Sequence, residues 1–570
     1  MEDRRTAYAI LICIIIVMLY TEVYLAPYTR QPLQQAPAAT QTQQVANNQG
    51  TSLTQQSVEN TTSSPTVVTP KREGVPTPAD INAAEKFIVE TKTIKATFVS
   101  LGARIESFEL KTHRKELKGD QNYEMVSHIE NTALPLGVYS GDVNDNFTNY
   151  KLESIEGLTQ QGNVLRIASD KASLTFVGNL SDGREIRKTL TFYPDNYLFD
   201  LKVALSAPSK DGSRLWVEWS YFEPKLEERS RYDFHGFMKL SDRSTSTTNL
   251  NSMEDGQTDI GNDSWIGIGD KYFTATMIPA ATGQNTKTLR RGEMFYQQVA
   301  GEPATGEFNL YVGPKVYDSL KASGHDLFKS IDLGFFSALA HPLLSLIRFF
   351  HSIFGNYGLA IILLTLIIKA LFLPLTKKSF QSMGAMQNIQ PKIKQLRDKY
   401  KSDPTKMNQE LIALYKREGV NPMGGCLPML IQLPVFLGLY NALLNSIELR
   451  HAPFALWIHD LSSPERLHVF GIAIPVMVIL MGVSMFVQQW MTPSSMDPTQ
   501  KKVMMFMPIM FTFFFLGFPS GLVIYWLTNN LVSILQQYYI RKERAADATK
   551  ATVVASIAIF GFAYILVLTT

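Results

Sequence analysis

Lys369 stands inside the apolar run Ile361-Ile362-Leu363-Leu364-Thr365-Leu366-Ile367-Ile368-Lys369-Ala370-Leu371-Phe372. A charge within a membrane span costs roughly 2.5–3.5 kcal/mol on insertion scales, and such a residue faces protein or water almost by default. Lys377 follows eight residues later, about 12 Å along a helix. Snorkelling relieves part of that depth, but Leu371, Phe372, Leu373 and Leu375 lie between. Thr365 is one helical turn earlier and shares the face of Lys369. Gln432 is a second polar residue within an apolar run. Together they imply a hydrated, cationic concavity within the bilayer, where acidic or polar residues of a passenger segment rest. The gain is solvation, with no bond made or broken. A soft lining of Met504, Met505, Phe506, Met507, Met510, Phe511, Phe513, Phe514 and Phe515 suits a surface that accepts many partners. Taken alone, ordinary lipid contact explains that stripe as well; beside Lys369 it reads as a slide.

Covalent chemistry finds no support. There is no His-Glu-x-x-His motif, no Gly-x-Ser-x-Gly elbow and no P-loop. Ser520 and Lys369 are the residue types of a Ser/Lys dyad, but nothing in the sequence brings them together. The two cysteines, Cys13 and Cys426, make no disulfide framework or zinc pattern. Ile12 before Cys13 argues against lipidation. No metal or cofactor is expected, and the chain is not read as an enzyme.

These residues need elements to hold them, and the 570-residue chain is long enough for several domains. Its net charge of +3 names no partner. Residues 1–26 carry Arg4-Arg5 and then an apolar stretch of spanning length without a small-x-small cleavage site, which predicts an uncleaved signal anchor. Residues 27–80 are rich in Gln, Thr, Ser, Pro and Ala, and read as a flexible linker without secondary structure. Residues 81–325 alternate with period two, as in Lys86-Phe87-Ile88-Val89-Glu90, Ser173-Leu174-Thr175-Phe176-Val177 and Leu215-Trp216-Val217-Glu218-Trp219. Ser181-Asp182-Gly183, Pro194-Asp195-Asn196 and Lys210-Asp211-Gly212 mark turns. That pattern predicts a β-sandwich. Residues 326–355 predict an amphipathic helix lying in the membrane interface, or packed on the sandwich.

Five apolar runs follow, at about 357–375, 424–447, 469–490, 503–518 and 522–539, each near spanning length except the short fourth. The loop after the first holds Lys377, Lys378, Lys392, Lys394, Arg397, Lys399, Lys401, Lys406, Lys416 and Arg417 against Asp398, Asp403, Glu410 and Glu418, so it belongs in the cytoplasm. Lys501-Lys502 and Arg541-Lys542 with Arg544 fall on the same side. All segments then agree on one topology, with the N-terminus cytoplasmic and the β-domain periplasmic. Within residues 378–420 a helix bent at Pro391 and a second from Pro404 to Gly419 form a basic hairpin. The expected architecture is therefore an α+β multidomain membrane protein: signal-anchor helix, periplasmic β-sandwich, and a five-helix transmembrane core (356–541) with a cytoplasmic helical hairpin. Residues 542–570 form a tail whose stretch 551–570 is uncharged and reads as an extra span or an interfacial segment.

The motifs Asn421-Pro422-Met423-Gly424-Gly425-Cys426-Leu427-Pro428, Gln432-Leu433-Pro434-Val435-Phe436, Leu373-Pro374-Leu375-Thr376, Ala452-Pro453-Phe454-Ala455-Leu456-Trp457-Ile458-His459-Asp460-Leu461 and Phe518-Pro519-Ser520-Gly521-Leu522-Val523 together resemble the bacterial YidC membrane-protein insertases, in their Gram-negative form with a large periplasmic domain. The resemblance runs to about Arg541. It implies an inner-membrane insertase and chaperone whose positively charged groove receives nascent hydrophobic segments and releases them into the bilayer, alone or with the Sec translocon. Nascent membrane proteins, the Sec translocon, the ribosome and membrane lipids are the implied partners. The groove charge is usually an arginine; Lys369 keeps the charge but not the bidentate fork. Thr365 and Gln432 match polar groove positions. Cys426, Leu433, Pro434, Phe436, Phe514, Phe515, Tyr525 and Trp526 match the substrate-contacting face. The family usually ends in a short basic tail, which residues 551–570 replace. Two rivals stay open: a transporter or channel using Lys369 as an anion site, which would predict paired half-helices or internal repeats, and a structural assembly factor acting through the β-domain.

Overall fold

The structure is a computed structural model that describes residues 74–569 apart from 128, 130–131, 224–233, 243, 280–284, 422–426, 493–497 and 542–544. The expected signal anchor (1–26), most of the expected linker, and both Cys13 and Cys426 lie outside the described residues. The described chain up to Gly313, apart from Glu116–Gly119, forms a β-rich unit, and a helical unit holds the residues from Pro314 onward.

Order begins earlier than composition implied. Pro78–Ala83 (α1) is a helix within and beyond the end of the stretch read as linker, held by a capping box between Thr77 and Asp80. The β-rich unit has three large sheets. In the nine-stranded one, Ser244–Asn249, His235–Ser241, Trp265–Asp270, Phe273–Pro279, Thr305–Pro314, Leu198–Leu205, Glu185–Phe192, Ala172–Asn179 and Lys151–Glu156 lie side by side. Two six-stranded sheets, centred on Ile94–Val99 with Lys86–Glu90 and on Met294–Ala300 with Leu215–Phe222, complete it. Alternation buries Phe87, Phe98 and Phe108 from one sheet against Phe176, Phe192 and Phe199 from the nine-stranded one. Rings meet across that interface at 5.5 Å (Phe87–Phe176), 6.0 Å (Phe98–Phe192) and 6.0 Å (Phe108–Phe199), which is the face-to-face packing of a sandwich. Phe237 and Phe295 bring in the third sheet at 6.5 Å. The turn signals sit at turns: Gly183 and Gly212 have φ of 87° and 68°, which a side chain rarely adopts.

In the helical unit Tyr317–Ala322 (α2) and a 3-10 turn at Leu327–Ser330 precede Ser337–Phe354 (α3). The amphipathic helix thus starts later than Asp326, because Gly334 at φ 74° breaks the path. α3 buries Ala340, Leu344, Ile347 and Phe350 and exposes Leu339, Leu346, Phe349 and Ile353. Tyr357–Leu371 (α4) and Leu373–Asn388 (α5) follow, bent by 60°. Pro374 supplies no N–H to the carbonyl of Ala370, so the first apolar run is not one straight helix. Gln390–Lys399 (α6) and Pro404–Arg417 (α7) pack through Ile389, Ile393, Leu411, Leu414 and Val420.

Leu427–Leu444 (α8), Val476–Met491 (α9), Pro498–Phe515 (α10) and Ser520–Arg541 (α11) occupy the remaining four runs. The third run begins later than expected. Leu467–Val469 and Ile472–Ile474 pair as a hairpin, because Phe470 and Gly471 take positive φ and Pro475 ends the strand before α9. Ala545–Thr569 (α12) is the last helix. Among the described residues one helix is long and apolar enough to cross a membrane alone, over Thr552–Thr569; the bent α4–α5 pair passes together, and Ile431–Leu444, Val476–Met491 and Val503–Gly517 are shorter apolar helices.

Candidate functional site

The site lies among α4, α8 and α11. α4 starts where the Asn356 side chain accepts from the Leu359 N–H at 3.0 Å and donates to the Phe454 carbonyl at 2.9 Å. Three turns on, Lys369 is 7% exposed and its Nζ donates to Ser533 Oγ on α11 at 2.7 Å. Ser533 in turn donates to the Asn529 carbonyl at 2.8 Å. From α8, Gln432 Nε2 donates to Asn529 Oδ1 at 3.0 Å. Lys369 and Gln432 therefore converge on the same two turns of α11. Lys369 has no carboxylate within ion-pair distance among the described residues.

Lys369 is more enclosed than a residue lining an open concavity. The Ser533 hydroxyl of α11 takes up one of its ammonium hydrogens. Thr365 is buried too, and its hydroxyl donates to the Ile361 carbonyl at 2.7 Å. Its oxygen thus belongs to its own helix and does not join the Lys369–Ser533 pair.

The run at 522–539 is α11, but sequence reasoning passed over its polar residues. Thr528-Asn529-Asn530, Ser533 and Gln536-Gln537 recur at helical spacing inside a stretch counted as apolar. That recurrence was the signal. Asn530 donates to Ser484 Oγ at 3.0 Å and Gln537 to Thr492 Oγ1 at 3.1 Å, tying α11 to α9 and the residue after it. Gln536 is buried, and neither atom of its amide has a partner among the described residues.

The aromatic positions come together beside the polar ones. Phe436 meets Trp526 edge-on at 4.8 Å and Tyr525 at 6.2 Å; Phe515 meets Trp526 at 4.9 Å and Phe518 at 4.8 Å. Leu433 and Phe514 are 37% and 52% exposed, Pro434, Phe436 and Trp526 are half-buried, and Phe515 and Tyr525 are buried. Phe506, Met507, Met510 and Phe513 are exposed along α10.

Two of the long motifs meet away from the site and brace it. Ser520 N–H donates to the Ser463 carbonyl at 2.9 Å and Gly521 N–H to the Leu461 carbonyl at 3.0 Å. Glu465 accepts from Trp457 Nε1 at 2.9 Å and from the Met477 N–H at 2.5 Å, capping α9.

The profile of the 60Kd inner membrane protein family matches residues 349–547, and that of the YidC periplasmic domain matches residues 86–346. The membrane protein insertase YidC of Geotalea daltonii is 35% identical over 559 residues, 95% of this chain and 100% of the relative. The chain belongs to the YidC family. The YidC of Syntrophus aciditrophicus is 40% identical over 482 residues, 80% of this chain and 85% of the relative. A crystal structure of an active YidC insertase is 20% identical, with a TM-score of 0.35, and is covered to 96% by 81% of this chain. Membership decides between the rival classes: this is a bacterial inner-membrane insertase with a β-rich periplasmic domain and a helical C-terminal region, not an enzyme.

Proposed function

We propose that the chain inserts nascent membrane proteins by offering the polar part of an incoming segment a ready-made partner at Lys369. The observation that carries this reading is a buried ammonium with one hydroxyl partner and no counter-ion among the described residues. An acidic side chain of the passenger supplies the missing charge. Gln432, Asn529 and Ser533 solvate its other polar atoms, so the hydrocarbon barrier it meets is thinner. The apolar part rides along Leu433, Phe436, Phe514 and Trp526, with Phe515 and Tyr525 behind them, and leaves between α8 and α10. Pro434 belongs to the same stretch of α8, and Thr365 shapes the wall beside Lys369.

In this reading α4–α5, α8, α9, α10 and α11 are the five spans of the core, and residues 1–26 are the signal anchor. α3 lies in the outer interface with Phe349 and Ile353 toward lipid. The α6–α7 hairpin stands in the cytoplasm, where Lys392, Lys394, Arg397 and Lys399 give it the charge to meet a ribosome. The Sec translocon, the ribosome and membrane lipids are the partners this reading implies.

The test replaces Lys369 by Arg, Gln, Glu and Leu in a strain depleted of its own insertase. Arg is expected to support insertion of a substrate with an acidic residue in its translocated part; Gln, Glu and Leu are expected to fail at least tenfold, the factor for about 1.4 kcal/mol. Normal insertion by both Lys369→Glu and Lys369→Leu would show that charge is not the working principle.

A further inference from the structure

The family match ends at residue 547, yet the fold continues into α12, Ala545–Thr569. We propose that α12 is an additional membrane span, packed on the α4–α11 side of the core, whose outward face is covered by lipid acyl chains and which carries Thr569 to the periplasmic side.

Length and composition permit it. At ~1.5 Å per residue a helix of this size reaches about 37 Å, more than the ~30 Å hydrocarbon core, and its charges, Asp547 and Lys550, sit in its first two turns. Burial separates a span from a soluble core helix. Only 11% of the Thr552–Thr569 window is buried, and Val553, Val554, Ile557, Phe562, Ile565 and Leu568 form a broad exposed apolar surface. In water that surface would be a large uncovered patch; in a bilayer it is an ordinary lipid-facing flank.

The other face is fitted to the core. Ala563 is buried, Ile559, Phe560 and Val567 pack on the same cluster as α4 and α11, and Phe560 and Tyr564 meet Phe354 at 5.1 and 6.1 Å. Phe354 is the last residue of α3, just before α4 begins. That end of α4 is also where α11 starts: a side chain at Gly521 would lie 3.4 Å from Ile361 Cδ1. The C-terminal part of α12 therefore sits level with the start of α11, and α12 runs antiparallel to it. Arg541, Lys542 and Arg544 at the connection hold the opposite end in the cytoplasm.

One consequence rests on the insertase reading. α12 covers the α4–α11 seam across which Lys369 reaches Ser533, so a passenger segment can leave only past α8 and α10. The placement of α12 itself does not depend on that reading.

The test uses the full chain with Cys13→Ser and Cys426→Ser, carrying either Thr569→Cys or Lys399→Cys, and a membrane-impermeant maleimide. Residue 569 is expected to label in intact spheroplasts and residue 399 only after lysis; labelling of 569 only after lysis overturns the span. A Phe354→Cys, Phe560→Cys pair is expected to join with a short bis-maleimide, and failure to join, with each cysteine singly reactive after denaturation, overturns the packing on the core. With a photoreactive residue at Ile557 or Phe514 and a stalled single-span nascent chain, adducts are expected at 514 alone. Equal passenger adducts at 557 overturn the sealed seam, self-adducts at 557 show a second copy in place of lipid, and loss of adducts at 514 strikes the insertase reading instead.

Discussion

Gln536 is 1% exposed, and among the described residues its amide nitrogen and oxygen both lack a partner. Leaving such a group unsatisfied costs about 1–3 kcal/mol. It lies three residues beyond Ser533 and seven beyond Asn529, on the face of α11 that meets Lys369. The Lys369–Ser533 bond does little to offset that cost or the cost of the charge: hydrogen bonds between membrane helices average ~0.6 and reach at most ~1.7 kcal/mol, below the roughly 2.5–3.5 kcal/mol of a charge in a span. On these magnitudes the cluster costs more stability than its own hydrogen bonds return. Gln536→Leu is accordingly expected to raise the thermal midpoint of the detergent-solubilised protein while slowing insertion of segments with polar residues. A lowered midpoint would mean that the amide is structural. Lys369 was legible in the sequence because one charge stands out in a run of Ile and Leu. Ser533 and Gln536 were not, since serine and glutamine near the end of an apolar stretch look like its polar border until the fold turns them inward.

At the scale of elements, the helices are held by close approaches as much as by apolar stripes. Gly482 on α9 leaves no room for a Cβ beside the Thr512 hydroxyl on α10, which itself donates to the Pro508 carbonyl at 2.8 Å. Overpacking at such a contact costs about 1–3 kcal/mol. Gly482→Ala should therefore destabilise the core by that order, and Thr512→Ala should recover most of the loss in a double-mutant cycle read by thermal unfolding. Additive losses would show that the two helices do not share this contact. The hairpin was readable from its punctuation: Pro404 at the first position of α7, the Asp403 carboxylate accepting from the Lys406 N–H at 3.0 Å, and Gly419 at φ 64° past its end. The start of α9 was not readable, because Val469, Ile472 and Ile474 suit a buried helix and a short strand equally; Gly471 and Pro475 decide for the strand.

At the scale of the whole molecule, the β-rich unit carries its own pH dependence. His235 Nδ1 lies 3.0 Å from Glu223 and Nε2 3.7 Å from Asp270. Burial disfavours the imidazolium, but Asp270 and Glu223 outweigh it and hold the pKa above the usual 6.5. Burial likewise works against the Asp270 carboxylate, and His235 with the Phe273 and Tyr272 N–H groups more than compensates, keeping it well below its usual 3.8. The raised histidine contributes stability that is complete below the unfolded value of 6.5 and is lost as pH rises through the folded one. The depressed Asp270 contributes stability that is present above 3.8 and is lost as pH falls. Unfolding of this unit, followed by the fluorescence of the fully buried Trp219 and Trp265, is therefore expected to occur at lower temperature as pH is raised from 6.5 upward, with His235→Gln flattening that slope. Equal slopes in the two proteins would remove His235 from the account.

Sequence alone determined the alternating strands, the basic hairpin, the order of the apolar runs and the identity of Lys369, because periodicity, turn residues and an isolated charge are local properties of a chain. Tertiary structure decided what Lys369 touches, which aromatic residues are covered, and where α12 packs. Those outcomes depend on which faces of helices distant in sequence meet, and the same polar stripe on α11 reads as a helix end or as the wall of a site until α4 and α8 are placed against it.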